Sequence, residues 1–344
     1  MNDSLPPDRH EFSREIGGHN LVPLWERPHP TRTPVSPAKP AYWDYDRVVR
    51  PFMMRAGGLI TAKEAERRVL VLENPGLRGQ YRITHSLFAG LQLIMPGEVA
   101  PAHRHTPSAL RFIVEGEGAY TAVEGERTTM RPGDFVVTPS WTWHDHGNET
   151  DRPMVWLDGL DTPLVRMLDA AFAEPANVDS QVIYRPEGDS PARFGANMAP
   201  VDWKPARTSS PVFNYPYARS REALETLSRN GGPDPCHGYK LRYINPATGG
   251  SPMPTIGTFL ASLPAGFTTA PYRSTDGTVY SVVEGSGETV IGDTAIHWKP
   301  RDLFIVPSWH QHRHRAASDA VLFSFSDRPT QEALSLWREE RPTV

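Results

Sequence analysis

Two stretches of the chain are copies of one another, and this duplication restricts the fold more than any other feature of the sequence. PGEVAPAHRHTPSALRFIVEGEG (96–118) aligns with PAGFTTAPYRSTDGTVYSVVEGSG (264–287). Gly97 and Gly266, His103 and Tyr272, His105 and Ser274, and Gly118 and Gly287 all stand 169 positions apart. Further on, TPSWTWHDH (138–146) matches VPSWHQHRH (306–314), with His144 and His312 separated by 168. A spacing that drifts by one residue over a domain's length describes a duplicated domain, well beyond the periods of solenoid repeats.

The texture of both copies is β. Short runs such as RFIVEG (111–116), YTAVEG (120–125) and DFVVTP (134–139) alternate with Gly, Pro and Asp turns. The 35 Pro and 27 Gly exclude a helix bundle, while 13 Phe, 11 Tyr and 9 Trp imply packed cores, so disorder is expected only at the Pro-rich stretch 27–40. The fold class expected is mainly β: two antiparallel β-barrel or jelly-roll domains, with short helices at the N-terminus, linker and C-terminus. The division expected is an N-terminal lead-in or arm (1–60), a first β domain (61–160), a helical and loop-rich linker (161–250), a second β domain (251–328) and a C-terminal helix segment (329–344). Thr61 and Glu64 have capping-box spacing, which predicts a helix through Arg68. Further helices are predicted at 160–173, 219–229 and 331–340.

Charge and composition limit the partners. With 36 Lys+Arg against 40 Asp+Glu, the net charge is −4, and no basic block, helix-turn-helix or basic arm marks a partner in nucleic acid or an anionic membrane. One cysteine, Cys236, allows neither an internal disulfide framework nor a Cys-rich zinc module. No apolar run approaches the ~18 residues needed to span a bilayer. The opening MNDSLPPDRHEF has no signal-peptide layout. A soluble, cytoplasmic protein is expected.

Seven of the 13 histidines fall in two tight groups. In the first copy these are His103, His105, His144 and His146. Residues two apart on a strand point the same way, so His103 and His105 project into one space, and His144 can join them from a neighbouring strand after the Pro-Ser-Trp turn. Three imidazoles on one face of a metal leave its other face open. A hydrogen-bonded surface pair is the alternative for an isolated His-x-His. Here the whole arrangement, Gly97, His103-x-His105 and Gly118, then Gly133, Pro139, His144 and Asn148, resembles the two motifs of the cupin superfamily, small antiparallel barrels or jelly rolls that bind a metal inside. Most metal cupins carry a Glu just after the second histidine. TPSALR (106–111) offers none before Glu115, so the resemblance implies His103, His105 and His144 as an all-imidazole ligand set. The second copy has Tyr272 and Ser274 at the first two positions. His310, His312 and His314 could form a site of their own or remain as structural remnants, and one metal per chain is expected.

Residues 100–149, with ITAKEAERRVLVLENPGL (60–77) and LFAGLQLIMPGE (87–98), resemble the amino-terminal cupin of gentisate 1,2-dioxygenases, and the likeness extends more weakly over nearly the whole chain. The resemblance implies a homotetrameric bicupin with one Fe(II) per subunit. It implies cleavage of gentisate (2,5-dihydroxybenzoate) by dioxygen, between the carboxyl-bearing and adjacent hydroxyl-bearing carbons, to maleylpyruvate. Salicylate 1,2-dioxygenase and 1-hydroxy-2-naphthoate dioxygenase share the architecture, so the motifs speak more firmly for the reaction class than for the substrate.

The same resemblance suggests catalytic and substrate-binding roles. Arg111 is a carboxylate partner, with an exposed strand arginine as its alternative. Arg67 is a second, with Arg68 beside it and a solvated helix face as the alternative. Gly90 and Gln92 form a pocket wall, the glycine giving room for the ring. His146 is an acid/base or hydrogen-bond partner. Asp158 either orients His146 or meets the para hydroxyl, and could instead be a turn residue before Gly159. Trp141, Trp143 and Trp156 are expected to pack the barrel. Two other classes compete: a zinc or manganese cupin isomerase, which lacks its usual Glu here, and a metal-dependent ligand-binding or storage cupin.

Overall fold

The structure, a computed structural model, describes residues 7–342. The first six residues, part of the opening read for a leader, and the last two of the 329–344 segment lie outside the described residues. The chain divides into a small unit ending at Val35 and a large unit beginning at Ser36. In the small unit the helix Pro7–Gly17 precedes a 3-10 turn at Leu24–Glu26. There Phe12 stacks on Trp25 at 6.3 Å, and Ser13 Oγ donates to Glu26 (2.8 Å).

The large unit carries the duplication, each copy built as two sheets in jelly-roll form rather than as a closed barrel. In the first, six strands lie in the order Asn214–Tyr215, Phe135–Thr138, Ala109–Glu115, Met154–Leu160, Phe88–Ile94, Val69–Val71. Its second sheet runs Ala173–Pro175, Val99–His105, His144–Gly147, Tyr120–Val123, Glu126–Thr129. The second copy repeats the plan with Ala41–Trp43, Leu303–Val306, Thr278–Glu284, Ala320–Ser326, Gly257–Leu263 and Tyr239–Arg242. These go with the three-stranded sheet Thr294–Trp298, Gly287–Ile291, His312–Ala316.

Alternation along each strand sorts side chains between two faces. Leu91, Leu110, Phe112 and Leu157 of one six-stranded sheet share a continuous apolar core with Leu260, Ile305, Phe323 and Phe325 of the other. Phe112 and Phe323 stack at 3.9 Å, with ring planes 8° apart. The opposite face of the first sheet carries Ile94, Ile113, Val136 and Trp156 in a separate cluster. That inner face holds the candidate site.

The turn before the first sheet departs from its prediction. The capping box forms, since Glu64 N donates to Thr61 Oγ1 (3.1 Å) and Thr61 N to Glu64 Oε2 (3.0 Å). Yet Glu66 takes a left-handed conformation (φ 54°), and the chain makes a single turn before joining the strand Val69–Val71. Pairing of that strand with Gly90–Gln92 wins over local helix propensity. The predicted 160–173 helix shortens to Thr162–Met167, with Asp169 left-handed (φ 55°) beyond it. The 219–229 helix is present as Tyr217–Arg229. The predicted closing helix moves forward to Arg328–Ala333, led by Pro329 in its first turn. Ser335 (φ 59°) follows its end, and Glu339–Glu340 pairs with Arg273–Ser274 as strand.

The lead-in and linker are also woven into the sheets. Ala41–Trp43 forms an edge of the second copy's large sheet, and the linker supplies strands to both copies. Residues 27–40 contain no helix or strand, but Lys39 is pinned through its N–H and C=O to Asn74 (both 2.9 Å), so the expected disorder does not describe the end of that stretch. No helix among the described residues is long and apolar enough to cross a membrane.

The aromatic stack between the large sheets generates a stability prediction. Phe323 is fully buried, so Phe323→Ala should cost about 3–5 kcal/mol and lower the denaturant midpoint with metal site and chemistry untouched.

Candidate metal centre and active site

His103 and His105 lie on the strand Val99–His105, and His144 on its antiparallel neighbour His144–Gly147, directly opposite His103. A register shift between Ala100 and His103 adjusts the pairing locally. Trp141 in the Pro-Ser-Trp turn is left-handed (φ 58°), and its counterpart Trp309 in the second copy repeats this (φ 62°). This sharp turn returns the chain so that the residue three positions on enters the sheet facing inward. Ring centroids are 5.3 Å apart for His103 and His105, 4.3 Å for His103 and His144, and 4.8 Å for His105 and His144. One nitrogen from each lies within 4.8 Å of the others, a spacing that can hold a metal ion.

The donor set fits a metal. Nδ1 of His105 is 2.8 Å from Pro107 O, and Nδ1 of His144 is 2.9 Å from Thr142 O. A carbonyl oxygen only accepts, so each Nδ1 carries the proton and each Nε2 keeps its lone pair. The buried Nε2 of His144 has no hydrogen-bond partner among the described residues. His103 is less settled: its Nδ1 is 3.3 Å from Pro101 O, and Arg67 Nη2 contacts the same Nδ1 while donating to Pro101 O (3.0 Å). Burial, and then the charge of Arg67, push His103 down to about 2; burial takes His105 to about 4 and holds His144 well below the ordinary range. All three imidazoles are neutral near pH 7, as metal ligation requires.

The cluster contains no carboxylate. Glu115, the first carboxylate after His105, is engaged elsewhere, accepting from Tyr45 Oη (2.8 Å) and Arg50 Nε (2.9 Å).

A row of opposed residues, Val71, Gly90, Asp158, Arg111 and Val136, crosses five strands of the large sheet. Arg111 is buried, not exposed; its Nη1 donates to Thr138 Oγ1, and its Nε lies 3.6 Å from Asp158 Oδ1. Asp158 is likewise no turn residue. It lies within the strand, accepts from Trp156 Nε1 (3.1 Å), and is raised to about 6 by burial against the opposing pull of Arg111 and Arg67. It makes no bond to His146, whose Nδ1 is instead 2.9 Å from Thr121 Oγ1, so the expectation that Asp158 orients that ring is corrected. The second copy repeats the pairing, with Thr289 Oγ1 2.8 Å from His314 Nδ1, so this bond belongs to the fold. Unlike His314, His146 has a buried Nε2 without a hydrogen-bond partner among the described residues.

The left-handed Glu66 also separates the two neighbouring arginines. Arg68 is buried in an ion pair with Glu98 and donates to Ile60 O (2.7 Å), while Arg67 faces His103. Burial and the charge of Arg111 pull the Arg67 guanidinium down to about 9. Gln92 is opposite Trp156 on the same wall. At Gly90 the open space is already used: a Cβ there would stand 2.5 Å from Val69 Cγ1, so the missing side chain admits Val69 rather than a ring. Trp156 is in the interior cluster as expected, but Trp141 and Trp143 are not barrel packing. They sandwich Arg104 (4.4 and 4.6 Å), which pairs with Glu174 (2.6 Å).

Thr138, Thr121 and the two tautomer-setting carbonyls of Pro107 and Thr142 escaped the sequence reading, because each is a cross-strand or turn neighbour with no motif of its own. In the second copy, Tyr272 and Ser274 occupy the first two ligand positions, Tyr272 packs against His237 (4.6 Å) and His312 is buried.

A cupin-domain profile matches residues 90–160. The chain is 58% identical to gentisate 1,2 dioxygenase 1 of Aquipseudomonas alcaligenes over 340 residues, covering 98% of each chain. The chain belongs to the gentisate 1,2-dioxygenase family. It is also 37% identical to the 5-aminosalicylate 1,2-dioxygenase of a Comamonas species, over 98% of this chain and 91% of that one. A solved salicylate 1,2-dioxygenase from Pseudoaminobacter salicylatoxidans, crystallised as an adduct with gentisate, superposes with a TM-score of 0.92 at 33% identity, covering 100% of this chain and 96% of that one.

Two outcomes follow for metal binding. His144→Ala should abolish metal retention after dialysis, measured by elemental analysis, whereas His312→Ala should leave the stoichiometry unchanged. Because the folded triad has depressed pKa values, protons do not compete for it between the ordinary histidine value of about 6.5 and about 4. Retention should therefore stay level from pH 8 to about 5 and fall as His105 protonates near 4.

Proposed function

We propose that this chain cleaves gentisate with dioxygen to maleylpyruvate, breaking the bond between the carboxyl-bearing carbon and the adjacent hydroxyl-bearing carbon. The observation that carries the reading is a charge imbalance. Two guanidiniums, Arg111 and Arg67, act on the buried carboxylate of Asp158, with Asp145 and Glu66 acting more weakly on Arg67, beside a ligand triad that brings no negative charge. A substrate with a carboxylate and an ortho hydroxyl balances that excess and offers two oxygens to one ion.

His103, His105 and His144 would hold Fe(II), one per subunit. Bound there, ferrous iron supplies the redox centre that lets singlet organic substrate and triplet dioxygen react. The chain's own groups bind and orient. The planar fork of Arg111, steadied by Thr138, takes the substrate carboxylate, and Arg67 adds a second cation on the histidine side. Gln92 offers an amide to a substrate oxygen from the adjacent row. The unpartnered Nε2 of His146 is assigned to a substrate hydroxyl or to oxygen, with the imidazole kept neutral by burial. Asp158, raised to about 6, can exchange a proton near neutrality and is assigned to the para hydroxyl. Salicylate and 1-hydroxy-2-naphthoate carry the same carboxylate and ortho hydroxyl and form the second reading; they lack the hydroxyl that Asp158 would meet. The family likeness brings with it a homotetramer, and the balanced charge suits the cytoplasm.

Anaerobic loading with Fe(II), followed by oxygen uptake with gentisate, salicylate and 1-hydroxy-2-naphthoate in parallel, tests the reading. Gentisate should be opened with one dioxygen consumed per ring. Turnover that needs zinc and leaves aromatic acids intact would overturn it in favour of an isomerase. Arg111→Gln should lower kcat/KM for gentisate roughly 100-fold or more, from the loss of charge-assisted bonds at about 1.5–3 kcal/mol each, with iron content unchanged.

A further inference from the structure

His146 and His314 hold matching places in the two copies but differ in what stands behind them. His146, Thr121 and Met130 each have a counterpart 168 positions on, in His314, Thr289 and Trp298. In the first copy Thr121 Oγ1 lies 2.9 Å from His146 Nδ1 and 3.2 Å from Met130 Sδ. In the second, Thr289 Oγ1 lies 2.8 Å from His314 Nδ1 and accepts from Trp298 Nε1 (2.9 Å). All six side chains are buried. A hydroxyl has one proton to give, so the third member of each row decides which way that proton points. A thioether only accepts, whereas an indole N–H only donates.

In the second copy Trp298 already supplies a proton to Thr289 Oγ1. The threonine's own proton then goes to His314 Nδ1, the acceptor within its reach among the described residues, so His314 carries its proton on Nε2. The first copy reverses the order. There Thr121 donates to Met130 Sδ and accepts from the Nδ1–H of His146, which makes two bonds. The opposite arrangement makes one and leaves the sulfur unanswered. Burial, and then the charges of Arg111 and Arg67, keep the His146 ring neutral, so only one of its nitrogens bears a proton. We infer that Met130 and Thr121 are positioning residues that fix His146 Nε2 as a lone-pair acceptor for a substrate hydroxyl. That nitrogen is buried without a partner among the described residues, in a ring 5.9 Å from His144 and 5.3 Å from Trp156. The inference rests on the gentisate reading, which left His146 to a substrate hydroxyl or to oxygen. A nitrogen without a proton answers the hydroxyl; dioxygen has no proton to give it.

Nitrogen-15 NMR of the full-length protein labelled at histidine, with Zn(II) in place of paramagnetic Fe(II), reads which ring nitrogen carries the proton. His146→Asn and His314→Asn assign the two signals. His146 should be protonated on Nδ1 and His314 on Nε2 in the same spectrum. Met130→Leu, a volume-conserving change that removes the sulfur acceptor, should move the His146 proton to Nε2 and leave His314 as it was. In the Fe(II)-loaded enzyme the same variant should lower kcat/KM for gentisate about tenfold at unchanged iron content, the equivalent of one hydrogen bond. A native His146 protonated on Nε2, a proton that stays on Nδ1 in Met130→Leu, or an unchanged kcat/KM would overturn the inference. The native spectrum decides even where the variant fails to fold. Failure of the gentisate reading looks different: the native iron enzyme opens no ring while both tautomers stand as described.

Discussion

Backbone carbonyls decide what the clustered imidazoles can do. Pro107 O and Thr142 O each accept a proton from a histidine Nδ1, which turns the opposite nitrogen into a lone-pair donor aimed at the shared space. Burial then keeps those rings uncharged. Neither effect depends on an acidic side chain, and Glu115, tied to Tyr45 and Arg50, leaves the cluster without one. A cation placed there would therefore retain its full charge, and the rest of the inner face is arranged around that fact.

Opposite the triad, the large sheet offers a wall in which Arg111 and Asp158 are cross-strand partners. Their separation of 3.6 Å is long for a buried ion pair, and Arg111 Nε has no hydrogen bond among the described residues. A guanidinium so incompletely answered is costly in isolation and suited to a site that an anion completes. Arg67 reaches the same space from a turn outside the sheet, so elements far apart in sequence meet at one charge.

Much of this arrangement was legible in the sequence, for reasons that can be traced to particular residues. A two-residue spacing on a strand places His103 and His105 together without reference to anything else, and the duplicated Pro-Ser-Trp turn marks where His144 must enter. Arg67 was harder, because Thr61 and Glu64 make a real capping box and only strand pairing by Val69–Val71 cuts the helix to one turn. At Gly90 the sequence gives a missing side chain but not the neighbour that uses the space, which is Val69. Thr138 was silent because it meets Arg111 across a fold that brings together residues 27 apart. Trp141 and Trp143 were misplaced, since a left-handed turn residue resets which side of the sheet its neighbours face.

The stacked rings of Phe112 and Phe323 bear on how the molecule can change over evolutionary time. The copy that has shed its ligands still supplies half of the apolar seam on which the other copy rests. Gene loss of the inactive half would strip that seam bare and expose a sticky plane to water, so the silent domain is retained as a buttress. A change on the plane facing its twin therefore disturbs both copies, whereas one beside Tyr280 or Trp298 disturbs only its own interior cluster.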